Sequence, residues 1–123
     1  MRIGLIGSGN MAGAILDGLL SDKKKHQIIC SDIDKKKLTK IKKDKKILVT
    51  TDNTKVVEES ELIFICVKPD AVKEVMACIS EKSTPTQIFV SVAAGVKINF
   101  IEDLLGGDKK IIRTMPNLGC LVS

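Results

Sequence analysis

Gly7, Gly9 and Ala12 stand in G-x-G-x-x-A spacing, and small residues so placed serve one kind of chemistry, the close approach of a phosphate to a backbone. The apolar run Ile3–Ile6 precedes them and reads as a buried strand, while Ile15, Leu16 and Leu19 follow at helical spacing. Gly7 allows a sharp turn out of the strand. Gly9 has no Cβ to hold a pyrophosphate away, and Ala12 lets the helix pack close on the strand. A helix starting here turns free N–H groups and a partial positive charge toward the phosphates. The spacing alone is a weak signal; its place between a strand and a helix is the context that gives it meaning.

Asp32 lies about twenty residues past this turn, at the end of the apolar segment Gln27–Asp32, where a dinucleotide fold carries the acid that accepts hydrogen bonds from the adenosine ribose. A carboxylate there repels a 2′-phosphate, yet Lys35, Lys36 and Lys37 follow at once and could hold one, so NAD and NADP both remain open. Asp32 has a second reading, as N-cap of the Lys-rich helix after it. Other reactive side chains are sparse. Cys30, Cys66, Cys78 and Cys120 are widely spaced with no C-x-x-C, and His26 is the only histidine. Neither a zinc site nor a disulfide framework is expected, and Cys30 and Cys66 read as buried thiols. His26 falls in a polar linker and is expected in solvent. Lys68 reads as a ribose or phosphate contact at a strand end rather than a catalytic acid.

The elements that must position these groups follow from periodicity. Strands are expected at 3–6, 27–32, 47–50, 62–67, 88–92 and 111–114. Helices lie between them: a Lys-rich one with Leu38 and Ile41 inward, one entered at Asp52-Asn53 through Val56 and Val57, one with Val72, Val75, Met76 and Ile79 on a face and Asp70 as its cap, and one with Ile98, Ile101, Leu104 and Leu105 closed by Gly106-Gly107. Six strands alternating with helices imply an α/β, Rossmann-type doubly wound parallel sheet in the order 3-2-1-4-5-6, with residues 1–123 as one dinucleotide-binding domain. All strand C-termini then share one edge. It carries the glycine turn, Lys68-Pro69, Ala93–Gly95 and Met115–Asn117. Asp32 and Asn53 belong to its adenosine half, and the loops after strands four to six to its nicotinamide half.

At 123 residues the chain is sized for a single domain, and a hydrophobic share of 44% fits a globular core. No apolar run reaches the ~18 residues of a membrane span, so no membrane partner is expected. Met1 leads straight into the first strand, from which no leader and a cytoplasmic location are expected. The net charge of +5 comes from lysines crowded between Lys23 and Lys46. With no Tyr or Trp to stack on bases, these read as a solvated helix face and not a nucleic-acid site.

Four stretches in this order, Gly7-Ser8-Gly9-Asn10-Met11-Ala12, Val67-Lys68-Pro69, Ser91-Val92-Ala93-Ala94-Gly95 and Arg113-Thr114-Met115-Pro116-Asn117, resemble the cofactor domain of the pyrroline-5-carboxylate reductase family along essentially the whole chain. The resemblance implies hydride transfer from NAD(P)H to the C=N carbon of 1-pyrroline-5-carboxylate, giving L-proline. It implies that Gly7, Ser8, Gly9, Asn10, Met11 and Ala12 hold the pyrophosphate and that Asn53 touches the adenosine ribose. Val67, Lys68 and Pro69 would line the nicotinamide ribose, with Ala93, Ala94 and Gly95 beside the ring. Met115, Pro116 and Asn117 would flank the ring and the substrate pocket, with no catalytic acid assigned. Family members continue into a helical domain that dimerises and holds the substrate. Without it these residues are expected to be largely monomeric and poorly active alone. Leu118 and Gly119 depart from the family pattern, in which small polar residues and Pro are commoner. Two further readings are a non-catalytic NAD(P)-binding regulatory module and a different reductase on the same domain, such as one for a deazaflavin.

Overall fold

The computed structural model describes residues 1–23, 25–92, 95–107 and 109–113. Its elements run β1 (Arg2–Ile6), α1 (Asn10–Leu20), β2 (Gln27–Ser31), α2 (Lys35–Lys45), β3 (Leu48–Thr50), α3 (Asn53–Glu58), β4 (Leu62–Ile65), α4 (Val72–Ile79), β5 (Ile88–Ser91), α5 (Ile98–Leu105) and β6 (Lys110–Arg113). The strands form one six-stranded sheet in the order β3-β2-β1-β4-β5-β6, and every pairing is parallel. This is the architecture expected from the alternation of strand and helix. Several strands stop a residue or two earlier than their apolar runs, because Asp32, Cys66, Val67 and Val92 already belong to the edge loops.

Period-two alternation divides the core between the faces. Ile6, Ile63, Ile65 and Phe89 pack with Val56, Val57, Val72, Val75, Met76, Ile79, Ile101 and Leu105, which places α3, α4 and α5 on one face. Ile3, Leu5, Ile28 and Cys30 pack with Ala12, Ile15 and Leu16 of α1 on the other. There Leu62 and Phe64 of β4 are only half-buried. The Lys-rich helix α2 buries Leu38 and half-buries Ile41, and its Lys45 forms an ion pair with Asp17 of α1.

Gly4 brings β1 and α3 together, since a Cβ there would run into the side chains of Val56 and Ser60. Gln87 does the same for the entry to β5. Its buried amide donates to the carbonyls of Val57 (2.6 Å) and Ser60 (2.9 Å) and accepts the Thr84 N–H (2.9 Å). Two local expectations are corrected. Asp70 does not cap α4: a 3-10 turn, Pro69–Ala71, leads into that helix and no side chain caps it. His26 is not in solvent, because its side chain is 13% exposed and its Nε2 lies 2.9 Å from Asp22.

Candidate functional site: the glycine turn and the C-terminal sheet edge

β1 is buried from Ile3 onward and ends at Ile6, and the chain then reverses through Gly7 into α1. Gly7 has φ +103°, and a Cβ on it would lie 3.0 Å from the carbonyl carbon and oxygen of Cys66 and 3.1 Å from the Val67 nitrogen. The glycine turn and the loop after β4 are therefore in backbone contact, which a side chain at position 7 would prevent. Hydrogen bonds fix both partners: Gly7 N–H donates to Ser31 C=O and Cys66 N–H to Ile6 C=O, each at 2.8 Å. Below the turn, the buried Cys30 thiol donates to Gly7 C=O at 3.5 Å. Burial, with the Asp32 charge adding to it, pushes this thiol up to about 12. Burial, with Cys30 nearby, does the same to the Cys66 thiol. Both are inert protonated groups at neutral pH.

Gly9 is different. It precedes α1 at φ −75°, ψ −166°, which any residue can adopt, and nothing lies within 4 Å of where its Cβ would be. Space, not strain, accounts for a glycine here. Helix α1 starts at Asn10 with no side-chain cap, and its first turn is closed by Gly13 N–H to Gly9 C=O at 3.0 Å. The N–H groups of Asn10, Met11 and Ala12 thus precede the first intrahelical bond. By contrast α2 and α3 are capped by the carboxylates of Asp34 and Asp52. Asn10 is exposed, Met11 half-buried against the core, and Ala12 fully buried, as close helix packing requires.

Asp32 follows β2 beside this turn. One carboxylate oxygen accepts the Ser8 N–H (3.0 Å) and the Ser8 hydroxyl, and the other accepts the Asp34 N–H at 2.9 Å. Partial burial opposes its ionisation. The hydrogen bonds from the Ser8 hydroxyl and from the Asp34 and Ser8 N–H groups, with the Lys37 charge, outweigh burial and hold the carboxyl below its usual 3.8. The capping alternative for Asp32 is corrected: Asp34 caps α2, accepting from the N–H groups of Lys36 (2.9 Å) and Lys37 (3.3 Å). Asn53 opens α3 behind its cap Asp52, and its side-chain oxygen accepts the Ser31 hydroxyl at 2.6 Å. That bond places Asn53 one residue from Asp32, with its amide NH₂ left as the donor group.

On the other half of the edge, Val67 is half-buried against the core, while Lys68 and Pro69 are exposed and open the 3-10 turn. Pro69 and Gly95 share an open cleft of about 520 Å³ with Asp70, Val72, Val96, Lys97 and Phe100. Phe100, 38% exposed, carries no sequence signal, because it lies off the Ile98–Ile101–Leu105 face of α5 and belongs to no motif. Ala93, Ala94, Met115, Pro116 and Asn117 lie outside the described residues. Among the described residues no group of His, Cys, Asp and Glu could hold a metal ion, and no helix is long and apolar enough to cross a membrane.

An open glycine, an uncapped helix start and a fixed carboxylate share one edge, an arrangement chemically suited to a phosphate and a ribose. Residues 2–95 match the model of the family described as NADP oxidoreductase, coenzyme F420-dependent. The chain belongs to this family. A Danio rerio protein named pyrroline-5-carboxylate reductase 3 is 40% identical over 99% of this chain and 43% of its own length. The Escherichia coli pyrroline-5-carboxylate reductase is 34% identical over 99% of this chain and 46% of its own length. The solved pyrroline-5-carboxylate reductase of Coxiella burnetii superposes with a TM-score of 0.87 at 30% identity, covering 94% of this chain and 43% of that one. The Plasmodium falciparum pyrroline carboxylate reductase, solved with NADP bound, superposes at 0.82 with 25% identity, covering 99% and 44%. These relatives bear out the resemblance drawn from the four sequence stretches. The chain spans less than half the length of the curated relatives it matches.

Proposed function

We propose that this chain binds a nicotinamide dinucleotide across the C-terminal edge of its sheet and provides the cofactor half of a pyrroline-5-carboxylate reductase, converting 1-pyrroline-5-carboxylate to L-proline. The observation that carries the reading is the uncapped start of α1 behind an unobstructed Gly9, on a turn that Gly7 locks against the β4 loop. The substrate class is supported by relatives that align along nearly the whole chain and bear that enzyme's name. The same relatives favour a nicotinamide over the deazaflavin named in the family's description.

When bound, the reduced nicotinamide supplies the hydride. The residues of this chain orient it. The N–H groups of Asn10, Met11 and Ala12, offered at a positive helix end, hold the pyrophosphate, and Gly7, Ser8 and Gly9 shape the turn around it. Asp32 accepts from a ribose hydroxyl, and Asn53 donates beside it. Val67, Lys68 and Pro69 line the second ribose, and Gly95 leaves room for the ring. Ala93, Ala94 and the Met115–Asn117 loop are proposed for ring and substrate on the resemblance alone. A protonated C=N is already electrophilic, so positioning is the main need, with the reacting carbons roughly 3–3.5 Å apart. The atoms balance as a hydride to the imine carbon and a proton kept on nitrogen.

The test is oxidation of NADH and NADPH with 1-pyrroline-5-carboxylate, beside calorimetric titration with each cofactor. Binding together with imine-dependent oxidation is the expected result. Binding with no trace of imine-dependent oxidation, even at high protein concentration, would favour a nucleotide-binding module. Failure to bind either cofactor would refute the proposal.

A further inference from the structure

We infer that this chain takes NAD(H) in preference to NADP(H), because the loop after β2 fixes two carboxylates, Asp32 and Asp34, where the 2′-phosphate of NADP would have to lie. The inference rests on the dinucleotide reading above and goes beyond it to the choice of cofactor.

The end of β2 is where a dinucleotide fold reads the adenosine ribose. Three observations bear on what that position tolerates. Asp32 is pinned, one oxygen by Ser8 and the other by the Asp34 N–H. A carboxylate carries about four acceptor sites. Three of these are taken by the Ser8 N–H, the Ser8 hydroxyl and the Asp34 N–H, and the site left suits a hydroxyl of an unmodified ribose, which donates, and repels a phosphate, which only accepts. Next, the N-terminus of α2 is the nearest ready-made anion site, and it is closed: Asp34 already accepts from the N–H groups of Lys36 and Lys37. A 2′-phosphate would have to displace a side chain of its own sign. Between the two acids, Ile33 is 92% exposed, and its side chain offers no donor.

Lys35, Lys36 and Lys37 are the opposing charges. All three are exposed, so their ammonium groups ride on flexible stems in water, where salt screens them and ordering them costs side-chain entropy. Lys37 also already favours the ionised form of Asp32. Two carboxylates held by hydrogen bonds outweigh three mobile ammonium groups at a fixed position.

The experiment is fluorescence titration of the chain with NADH and with NADPH, on wild type, Asp34→Ser, Asp32→Ser and the double variant. Serine at 34 keeps a capping hydroxyl for α2 and removes only the charge, and melting curves establish that each variant is folded. Wild type is expected to bind NADH at least tenfold more tightly than NADPH. The double variant should move the ratio of the two affinities toward NADPH by at least tenfold, with Asp34→Ser alone moving it in the same direction. Wild type binding NADPH as tightly as NADH would overturn the inference, as would a ratio unchanged in folded variants. Binding of neither cofactor to wild type would instead overturn the dinucleotide reading, and the preference with it.

Discussion

Gly7 and Gly9 are two residues apart in one motif, and the structure assigns them opposite reasons for being glycine. Gly7→Ala should cost stability. At φ +103° it is beyond even the left-handed helical region, where a side chain costs roughly 1–2 kcal/mol. The new Cβ would lie 3.0–3.1 Å from backbone atoms of Cys66 and Val67. Those atoms cannot step aside cheaply, because Cys66 N–H is bonded to Ile6 and Gly7 N–H to Ser31. Overpacking of this kind costs roughly a further 1–3 kcal/mol. The sum of about 2–5 kcal/mol is a large part of the 5–15 kcal/mol typical of a domain. At roughly 4 °C per kcal/mol for this size, the melting temperature should fall by about 8–20 °C. Gly9→Ala meets ordinary φ and open space, so its melting temperature should stay within about 2 °C of wild type. Gly9→Val should also keep the fold, yet its side chain enters the space proposed for the pyrophosphate and should weaken NADH binding at least tenfold, about 1.4 kcal/mol. Circular dichroism melts and calorimetric titrations on the same preparations separate the two effects. A Gly7→Ala protein melting with wild type would refute the steric reasoning, and undiminished NADH affinity in Gly9→Val would remove the turn from the site.

Asp32 titrates below its usual value when folded, so as pH falls the unfolded chain takes up this proton first. The stability it contributes is present above about pH 4, the ordinary aspartate value, and is lost as pH drops through the lower folded value. Asp32→Asn should therefore show a shallower loss of urea stability than wild type below about pH 4; identical slopes would mean that the Ser8 bonds do not hold the carboxylate. Gln87→Leu removes the amide between α3 and β5 and leaves the Val57 and Ser60 carbonyls without that donor. It should cost about 2–4 kcal/mol in chemical denaturation, against less than about 0.5 kcal/mol for the exposed Thr86→Ala. A loss of the surface size at position 87 would contradict the role assigned to the amide.

Much of the fold was legible because its signals are local. Ile3–Ile6 and Ile88–Val90 are short apolar runs bounded by turn residues, α4 shows its buried face as Val72, Val75, Met76 and Ile79, and Asp52 announces the start of α3. Strand order followed from these, since right-handed crossovers between parallel strands leave few topologies. The proposed site was legible where it is built from backbone and small residues, as at Gly7, Gly9 and Ala12. It was illegible where the deciding neighbour is far away in sequence. Asp32 and Asp34 both precede the lysine helix and either could cap it by local rules. Ser8, which claims Asp32 and leaves the cap to Asp34, lies 24 residues from Asp32 along the chain. His26 looked solvated because its sequence neighbours are polar, yet it packs to 13% exposure.

The sequence by itself determined the alternation of strand and helix, the glycine turn proposed for the phosphates and the sheet edge that carries it, because each follows from periodicity, residue size and chain handedness within about thirty residues. Only the tertiary structure decided which carboxylate faces the turn, which of two glycines is there for strain and which for space, and that Gly4 and Gln87 hold α3 in place. Those answers depend on the backbone of Cys66 against Gly7, on Val56 and Ser60 against Gly4, and on two carbonyls against one amide. Sequence patterns encode which face of an element is buried. Hydrogen-bond partners and sub-ångström clearances are set by where separate elements meet, and the sheet alone brings those elements together.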